Sequence, residues 1–273
     1  MKDTRIALAV CRSAYGQWAQ NLDAIARHTR KAKDQGATLI CFPELFISGY
    51  SPRAQIDATC QPVPGPVTET VSQIAARETI TILAGLAECG NHGQIFASHL
   101  VFSPDGNVRT YRKIHIAPPE KQVFTPGNRM PLFKLPGATF GIALCYDAHF
   151  PELSTHLALK GADILFMPHA SPRGTAEEKL QSWRRHLPAR AFDNGVYVLA
   201  CNQSGENGAG LEFPGVAMVI DPAGKVMAEY VPADGEGLLV VNLPGERIEA
   251  VRSHSMRYFL PNRRSDIDYF RNP

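Results

Sequence analysis

Several chemistries are absent from this 273-residue chain. No stretch approaches the ~18 consecutive apolar residues of a membrane span. The apolar run Ile6-Ala-Leu-Ala-Val10, behind Met1-Lys-Asp-Thr-Arg, is too short for a secretory h-region and reads as a first strand. No pair of cysteines has C-x-x-C spacing and no H-E-x-x-H occurs, so zinc has little support and no metal or cofactor is expected. G-x-S-x-G is missing, which removes the serine-hydrolase elbow. The glycine-rich stretch Gly205-Glu-Asn-Gly-Ala-Gly210 is followed by no helix and no Gly-Lys-Ser/Thr, so it reads as a flexible loop and not a phosphate cradle. The formal net charge is only +2, with Lys and Arg scattered. A basic stripe is therefore lacking, and with it the footprint of a nucleic-acid partner. No repeat, low-complexity tract or linker interrupts the chain.

What is present is a chain with 44% hydrophobic residues, long enough for a substantial core. Six cysteines occur, and Cys11, Cys41, Cys145 and Cys201 sit in or beside apolar strand-like runs; Cys60 and Cys89 complete the set. That distribution suits reduced thiols better than a disulfide framework and makes the cytoplasm the default compartment. Strands are expected at Ile6–Val10, Ala37–Phe42, Ile80–Ala87, Ile95–Phe102, Val108–His115, Thr139–Leu144, Ala162–Met167, Val196–Cys201, Val216–Ile220, Val226–Tyr230 and Leu238–Asn242. Helices are expected at Trp18–Lys33, Val67–Arg77, Glu152–Lys160 and Thr175–Asn194, the last with a break at Pro188. The proline-rich segment Ile116–Gly137 reads as loop. Mixed βα units and hairpins imply mixed sheets with helices outside.

Three segments carry candidate chemistry. Cys145 ends the run Thr139-Phe-Gly-Ile-Ala-Leu144 and precedes a helix-like stretch. A strand turning sharply into a helix can fix one side chain at the rim of a sheet, so Cys145 is a candidate nucleophile. Cys41-Phe-Pro-Glu44 places a carboxylate at a strand end, and Tyr111-Arg-Lys113-Ile-His115 supplies an ammonium group. Taken singly, each has a plainer reading. The thiol would be a small buried hydrophobe, the lysine a solvated surface group, and the carboxylate a strand end facing water.

Together and in this order, the segments resemble the nitrilase superfamily of carbon–nitrogen hydrolases. The matching stretches are FPELFISGY, YRKIH, FTPG, GIALCYDAHFPEL, WRRHLPARAFDNGVYVLACNQ and the tail YFLPNRR. They run nearly the length of the chain. The resemblance implies a four-layer α-β-β-α sandwich with two mixed sheets between outer helices, as one domain over residues 1–273. It also implies a symmetric homodimer or higher homo-oligomer, with the tail from about residue 252 to 273 at the interface. It implies a Glu–Lys–Cys set of Glu44, Lys113 and Cys145, and a second glutamate, Glu120, orienting lysine and substrate. In the implied reaction, Glu44 takes the thiol proton and Cys145 attacks an amide carbonyl. Lys113 and the backbone N–H of Tyr146 hold the oxyanion. Ammonia leaves, and water activated by Glu44 hydrolyses the thioester.

Tyr50, Tyr146 and His169 follow core motifs at strand ends and are candidate pocket residues. His149 departs from the family pattern, in which arginine often follows Cys-Tyr-Asp-x and holds a substrate carboxylate; here it is a candidate substrate contact or a surface histidine. The substrate is therefore expected to be a small neutral or aromatic carboxamide, with N-carbamoyl compounds as the alternative. Another arginine over the pocket, such as Arg173 or Arg129, would reverse that ranking. A nitrilase is disfavoured because Cys145-Tyr-Asp147 stands where Cys-Trp-Glu is usual. A scaffold lacking activity would not need all three groups.

Overall fold

The structure is a computed structural model that describes residues 1–52, 54–264 and 266–267; the side chains of residues 54, 55 and 57 are outside the description. In chain order the first half contains β1 (Thr4–Val10), α1 (Trp18–Asp34), β2 (Leu39–Cys41), α2 (Pro66–Glu78), β3 (Thr81–Cys89), β4 (Ile95–Phe102) and β5 (Val108–Arg112). Then follow β6 (Phe133–Leu135), β7 (Ala138–Ile142), α3 (Pro151–Leu159), β8 (Ile164–His169), α4 (Ala176–Arg184), α5 (Leu187–Phe192) and β9 (Tyr197–Asn202). The chain closes with β10 (Ser204–Glu206), β11 (Glu212–Pro214), β12 (Ala217–Ile220), β13 (Val226–Tyr230), β14 (Gly237–Leu243) and α6 (Gly245–Arg252).

Two six-stranded mixed sheets result, ordered β14-β1-β2-β3-β4-β5 and β13-β12-β9-β8-β7-β6. In each, the three central strands β1-β2-β3 or β7-β8-β9 run parallel and the outer pairings are antiparallel. The alternation in β1 shows how one strand serves two layers. Ile6, Leu8 and Val10 face the second sheet, packing with Phe140, Phe166 and Leu199. Ala7 and Ala9 face the other way, toward Ile25 of α1 and Val71 and Ile74 of α2. On the far side, Leu157 of α3, Leu180 and Trp183 of α4, and Leu187 of α5 cover Leu165, Val198 and Met218. The expected α-β-β-α sandwich is therefore present.

Four local expectations are corrected. Within the segment read as loop, Phe133–Leu135 pairs with β7, because Phe133 and Leu135 both have apolar sites to fill. The glycine-rich stretch is not all loop: Gly205 and Glu206 belong to β10, which pairs with β11 with Glu206 opposite Glu212, and residues 207–211 connect the two strands. Helix α6 was not anticipated. Strand β5 ends at Arg112, so Lys113 lies just past it, its N–H donating to the Ala97 carbonyl at 2.9 Å.

The cysteine reading is corrected too. Cys60 and Cys89 are disulfide-bonded. Gln61 bridges beside Glu88, which sets Cys60 next to the end of β3 despite a separation of 29 residues, a return path that sequence spacing does not reveal. Cys11, Cys41 and Cys201 are free and buried, and Cys145 is free and partly exposed.

Candidate active site

The site forms where the C-terminal ends of the parallel strands of both sheets meet. β2 leads to Glu44, through a loop that lies close on β3. Gly85 makes this possible: a Cβ there would stand 2.9 Å from the Leu45 amide nitrogen and 2.8 Å from the His99 ring. Leu45 itself turns the loop with φ of 54°, a left-handed conformation uncommon outside glycine. β7 leads to Cys145, which has φ of 44° and opens a 3-10 turn running to His149. Such a sharp turn ahead of α3 is the elbow the sequence suggested, with backbone strain held by its surroundings.

Lys113 is the hub. Its Nζ donates to Glu44 Oε1 and to Glu120 Oε2, each at 2.9 Å. All three side chains are buried, Lys113 and Glu44 to 1% exposure. Charges so deep persist only when paired and hydrogen-bonded, and these are. Glu44 Oε2 accepts from the Ala170 N–H at 3.0 Å, just beyond β8. Glu120 Oε1 accepts from Tyr50 Oη at 3.0 Å, and its Oε2 also accepts from the Ala117 N–H at 3.3 Å.

Electrostatics follow from this packing. Burial pushes the Glu44 carboxyl up to about 7, against the opposing pull of Lys113. Burial works to lower the Lys113 pKa, but Glu44 and Glu120 outweigh it and hold the ammonium well above the usual lysine value. The Cys145 thiol is raised by burial and by Glu44, while Lys113 draws it down. Glu44, Lys113 and Glu120 thus all act on one thiol. Glu44 is the one poised to change protonation near neutrality.

The remaining sequence candidates fall into two groups. Tyr50 is tied to Glu120, and burial and that carboxylate raise its pKa. Tyr146 lines a crevice beside the elbow with His115, Ile116, Phe124 and Phe150. His169 is buried at the end of β8, its Nδ1 bound to the Met167 carbonyl at 2.7 Å and its ring 4.7 Å from Trp183. Burial drives its pKa well below the ordinary value. His149 is half-buried, stacked on His186 at 4.5 Å, and burial lowers its pKa as well. It is a neutral ring in a stack, and it does not replace an arginine.

Three residues that brace these segments escaped the sequence reading. Asp147 is fully buried and accepts from Tyr111 Oη at 2.7 Å, the His115 N–H at 2.8 Å and the Leu144 N–H at 3.0 Å. It locks the segment carrying Lys113 onto the segment carrying Cys145. The period of two in Tyr111, Lys113 and His115 was the available signal. Gln203 Nε2 donates to the Glu44 carbonyl at 2.8 Å. Arg190 Nε donates to the Ala148 carbonyl at 2.9 Å, bracing the elbow from α5.

Known proteins share this architecture. The sequence profile of the family described as carbon-nitrogen hydrolase matches residues 5–253. An (R)-stereoselective amidase of Pseudomonas sp is 31% identical over 216 residues, 78% of this chain and 76% of the relative. A nitrilase of Pyrococcus abyssi is 33% identical over 213 residues, 77% of this chain and 78% of the relative. A mutant of the amidase from Nesterenkonia sp. AN1, showing covalent addition of the acetamide moiety of fluoroacetamide at the active site cysteine, superposes with a TM-score of 0.82 at 30% identity. That match covers 96% of this chain and 95% of that one.

Proposed function

Because the chain belongs to the carbon–nitrogen hydrolase family, we propose that it cleaves a small carboxamide to the acid and ammonia through a thioester on Cys145. Hydrolysis of carbon–nitrogen bonds by a cysteine-dependent amidohydrolase is common ground with its relatives. The finer assignment rests on one observation: a buried Glu44–Lys113–Glu120 cluster whose charges converge on a strained, partly exposed cysteine.

In this reading Glu44 accepts the thiol proton as sulfur attacks the carbonyl carbon. Its raised pKa makes it a base strong enough to take the proton and an acid strong enough to return it to the departing amine. Lys113 and the Tyr146 N–H stabilise the oxyanion, a role worth ~3 kcal/mol per donor. Glu44, held by Ala170, then deprotonates the water that releases the acid. Glu120 and Tyr50 fix the lysine, and Tyr146 lines the entrance. An ammonia-release screen over simple amides, N-carbamoyl compounds and nitriles tests the reading. Amides should be the fastest class and nitriles the slowest. Turnover of nitriles above amides would overturn it.

The same proposal treats residues 1–273 as one hydrolase domain that works as a symmetric dimer. Exposed apolar side chains support a partner of the same kind, an isologous interface reusing one patch. Leu159 is 51% exposed beside an apolar groove along α3 that also holds Pro151, Leu153 and Met130, and Phe192 meets Phe259 at 5.4 Å near the surface. The expected tail contribution lies partly outside the described residues, at 265 and 268–273. Light scattering at micromolar concentration should give at least twice the 29.9 kDa chain mass; a clean monomer would refute the assembly. No helix among the described residues is long and apolar enough to cross a membrane. A cytoplasmic setting belongs to the proposal as well. The three buried free thiols support it, and the Cys60–Cys89 bond weighs against it, since disulfides persist in oxidising compartments.

A further inference from the structure

A cation unassigned by the mechanism stands at this site. Lys179 lies on α4, whose start is fixed by a capping box: the Thr175 N–H donates to Glu178 Oε2 at 2.8 Å and the Glu178 N–H donates to Thr175 Oγ1 at 3.2 Å. Lys179 and Trp183 are four residues apart and so share one helix face. Trp183 packs on His169 at the end of β8, which turns that face toward the site.

Lys179 is half-buried, and its Nζ donates to Ser171 Oγ at 2.6 Å. Ser171 is itself fixed, its N–H donating to Asn202 Oδ1 at 2.9 Å and its carbonyl accepting from Asn202 Nδ2 at 3.0 Å. It directly follows Ala170, the residue that holds Glu44. The ammonium is close enough for its charge to draw the Cys145 thiol pKa down.

Among the described residues no carboxylate lies within ion-pair distance of Lys179. The nearby acids are engaged elsewhere, Glu178 with Thr175 and Glu177 with Arg184. Burial lowers the pKa of Lys179, as it does for the neighbouring His149, His169 and His186. The histidines stay neutral near pH 7, so among the described residues the nearby cations without an ion pair are Arg190, which is taken up by the Ala148 and His149 carbonyls, and Lys179, whose ammonium is held only by a hydroxyl. A partly desolvated ammonium in that position gains most from an anion arriving with the substrate. Arg173 and Arg129, the arginines considered from sequence, are both exposed. Arg129 lies in a cleft with Glu88 and Arg112, on the other sheet.

Resting on the amidase reading above, we propose that Lys179, with the Ser171 hydroxyl, is a specificity-determining residue that receives a carboxylate on the acyl chain of the substrate. The preferred class is then the monoamide of a short dicarboxylic acid. The cation looked for at position 149 is supplied from α4 instead, so an anionic carboxamide takes the place of the neutral one expected from sequence.

The test compares matched substrates on the full chain: succinamate against 4-methylpentanamide, and glutaramate against 5-methylhexanamide. In each pair an isopropyl group takes the place of the carboxylate. The anionic member of at least one pair should lead by tenfold or more in kcat/KM. Lys179→Met should lower that ratio at least tenfold and Lys179→Arg should keep most of it. Losses common to both members cancel, so a purely structural defect leaves the ratio unmoved. A wild-type ratio near one, or a ratio unchanged by Lys179→Met, overturns the proposal. If no amide is turned over, the amidase reading fails by itself. Calorimetric titration of the Cys145→Ala protein with succinamate then decides Lys179 separately. Adding Lys179→Met should weaken binding at least tenfold, and undiminished or undetectable binding in the Cys145→Ala parent refutes the role.

Discussion

Cys145→Ala should lose at least about 10⁴-fold in kcat, as expected when the nucleophile of a covalent mechanism is deleted. The change removes one sulfur from a partly exposed position, and alanine meets the same backbone demand at φ of 44° as cysteine does. Circular dichroism and thermal unfolding should therefore be close to those of the parent. Cys201→Ala is the matched control. Cys201 is buried between the sheets with its thiol directed at the Cys41 carbonyl, so its loss should cost some stability and little activity. Incubation of the parent with a slow amide should leave an acyl mass adduct that maps to Cys145 and is missing from the alanine variant. Substantial turnover by Cys145→Ala, measured as ammonia released by carefully purified protein, would sink the mechanism.

The second large effect concerns the charge cluster. Glu44→Gln keeps the shape of the side chain and removes the base, and it should cost at least ~10²-fold in rate. Lys113→Met removes the proposed oxyanion donor, with a loss of similar size or larger. It also strips the counter-charge from two buried carboxylates, Glu44 and Glu120. Breaking a buried pair in this way costs about 3–5 kcal/mol of stability, so this variant should unfold at a distinctly lower temperature, whereas Glu44→Gln should not lose as much. Glu120→Gln brings an amide into a site that accepts hydrogen bonds from Lys113, Tyr50 and Ala117. It should be severely impaired as well. Near-normal rates there would make Glu120 a structural residue only.

The pH profile carries the sign of the same argument. Glu44 must be ionised to act as base, and its pKa is raised to about 7. The parent's kcat/KM should therefore fall as pH drops through about 7, well above the range of an ordinary carboxylate near 4.3. Removing a neighbouring cation raises a carboxylate pKa further, so any residual activity of Lys113→Met should have its acid limb displaced to higher pH. A parent limb near pH 4, measured from pH 3.5 to 9, would exclude Glu44 as the titrating base.

Sequence alone marked three candidate segments, but taken singly each had a plainer reading, and what joined Glu44, Lys113 and Cys145 into one set was their order along the chain and the family resemblance it carries. The elbow at Cys145 and the strand end before Glu44 were readable along the chain, and so was most of the strand and helix order. Periodicity reports which faces of a strand are apolar, not which sheet will cover them. The stacking of two sheets thus came from resemblance and is explained by packing, with Ile6, Leu8 and Val10 meeting Phe140 and Phe166 across the sandwich. Only the tertiary structure decided the partners of long-range polar groups. Asp147 joins two motifs 32 residues apart at His115, Glu44 reaches Ala170 across 126 residues, and Cys60 finds Cys89 by the return path of a loop. Lys179 belongs with them. On the sequence it is one charge in a polar helix, and its role depends on the rotation of α4, which is set when Trp183 seats against His169. A lysine becomes informative when burial takes away its water and no acid is near enough to replace it.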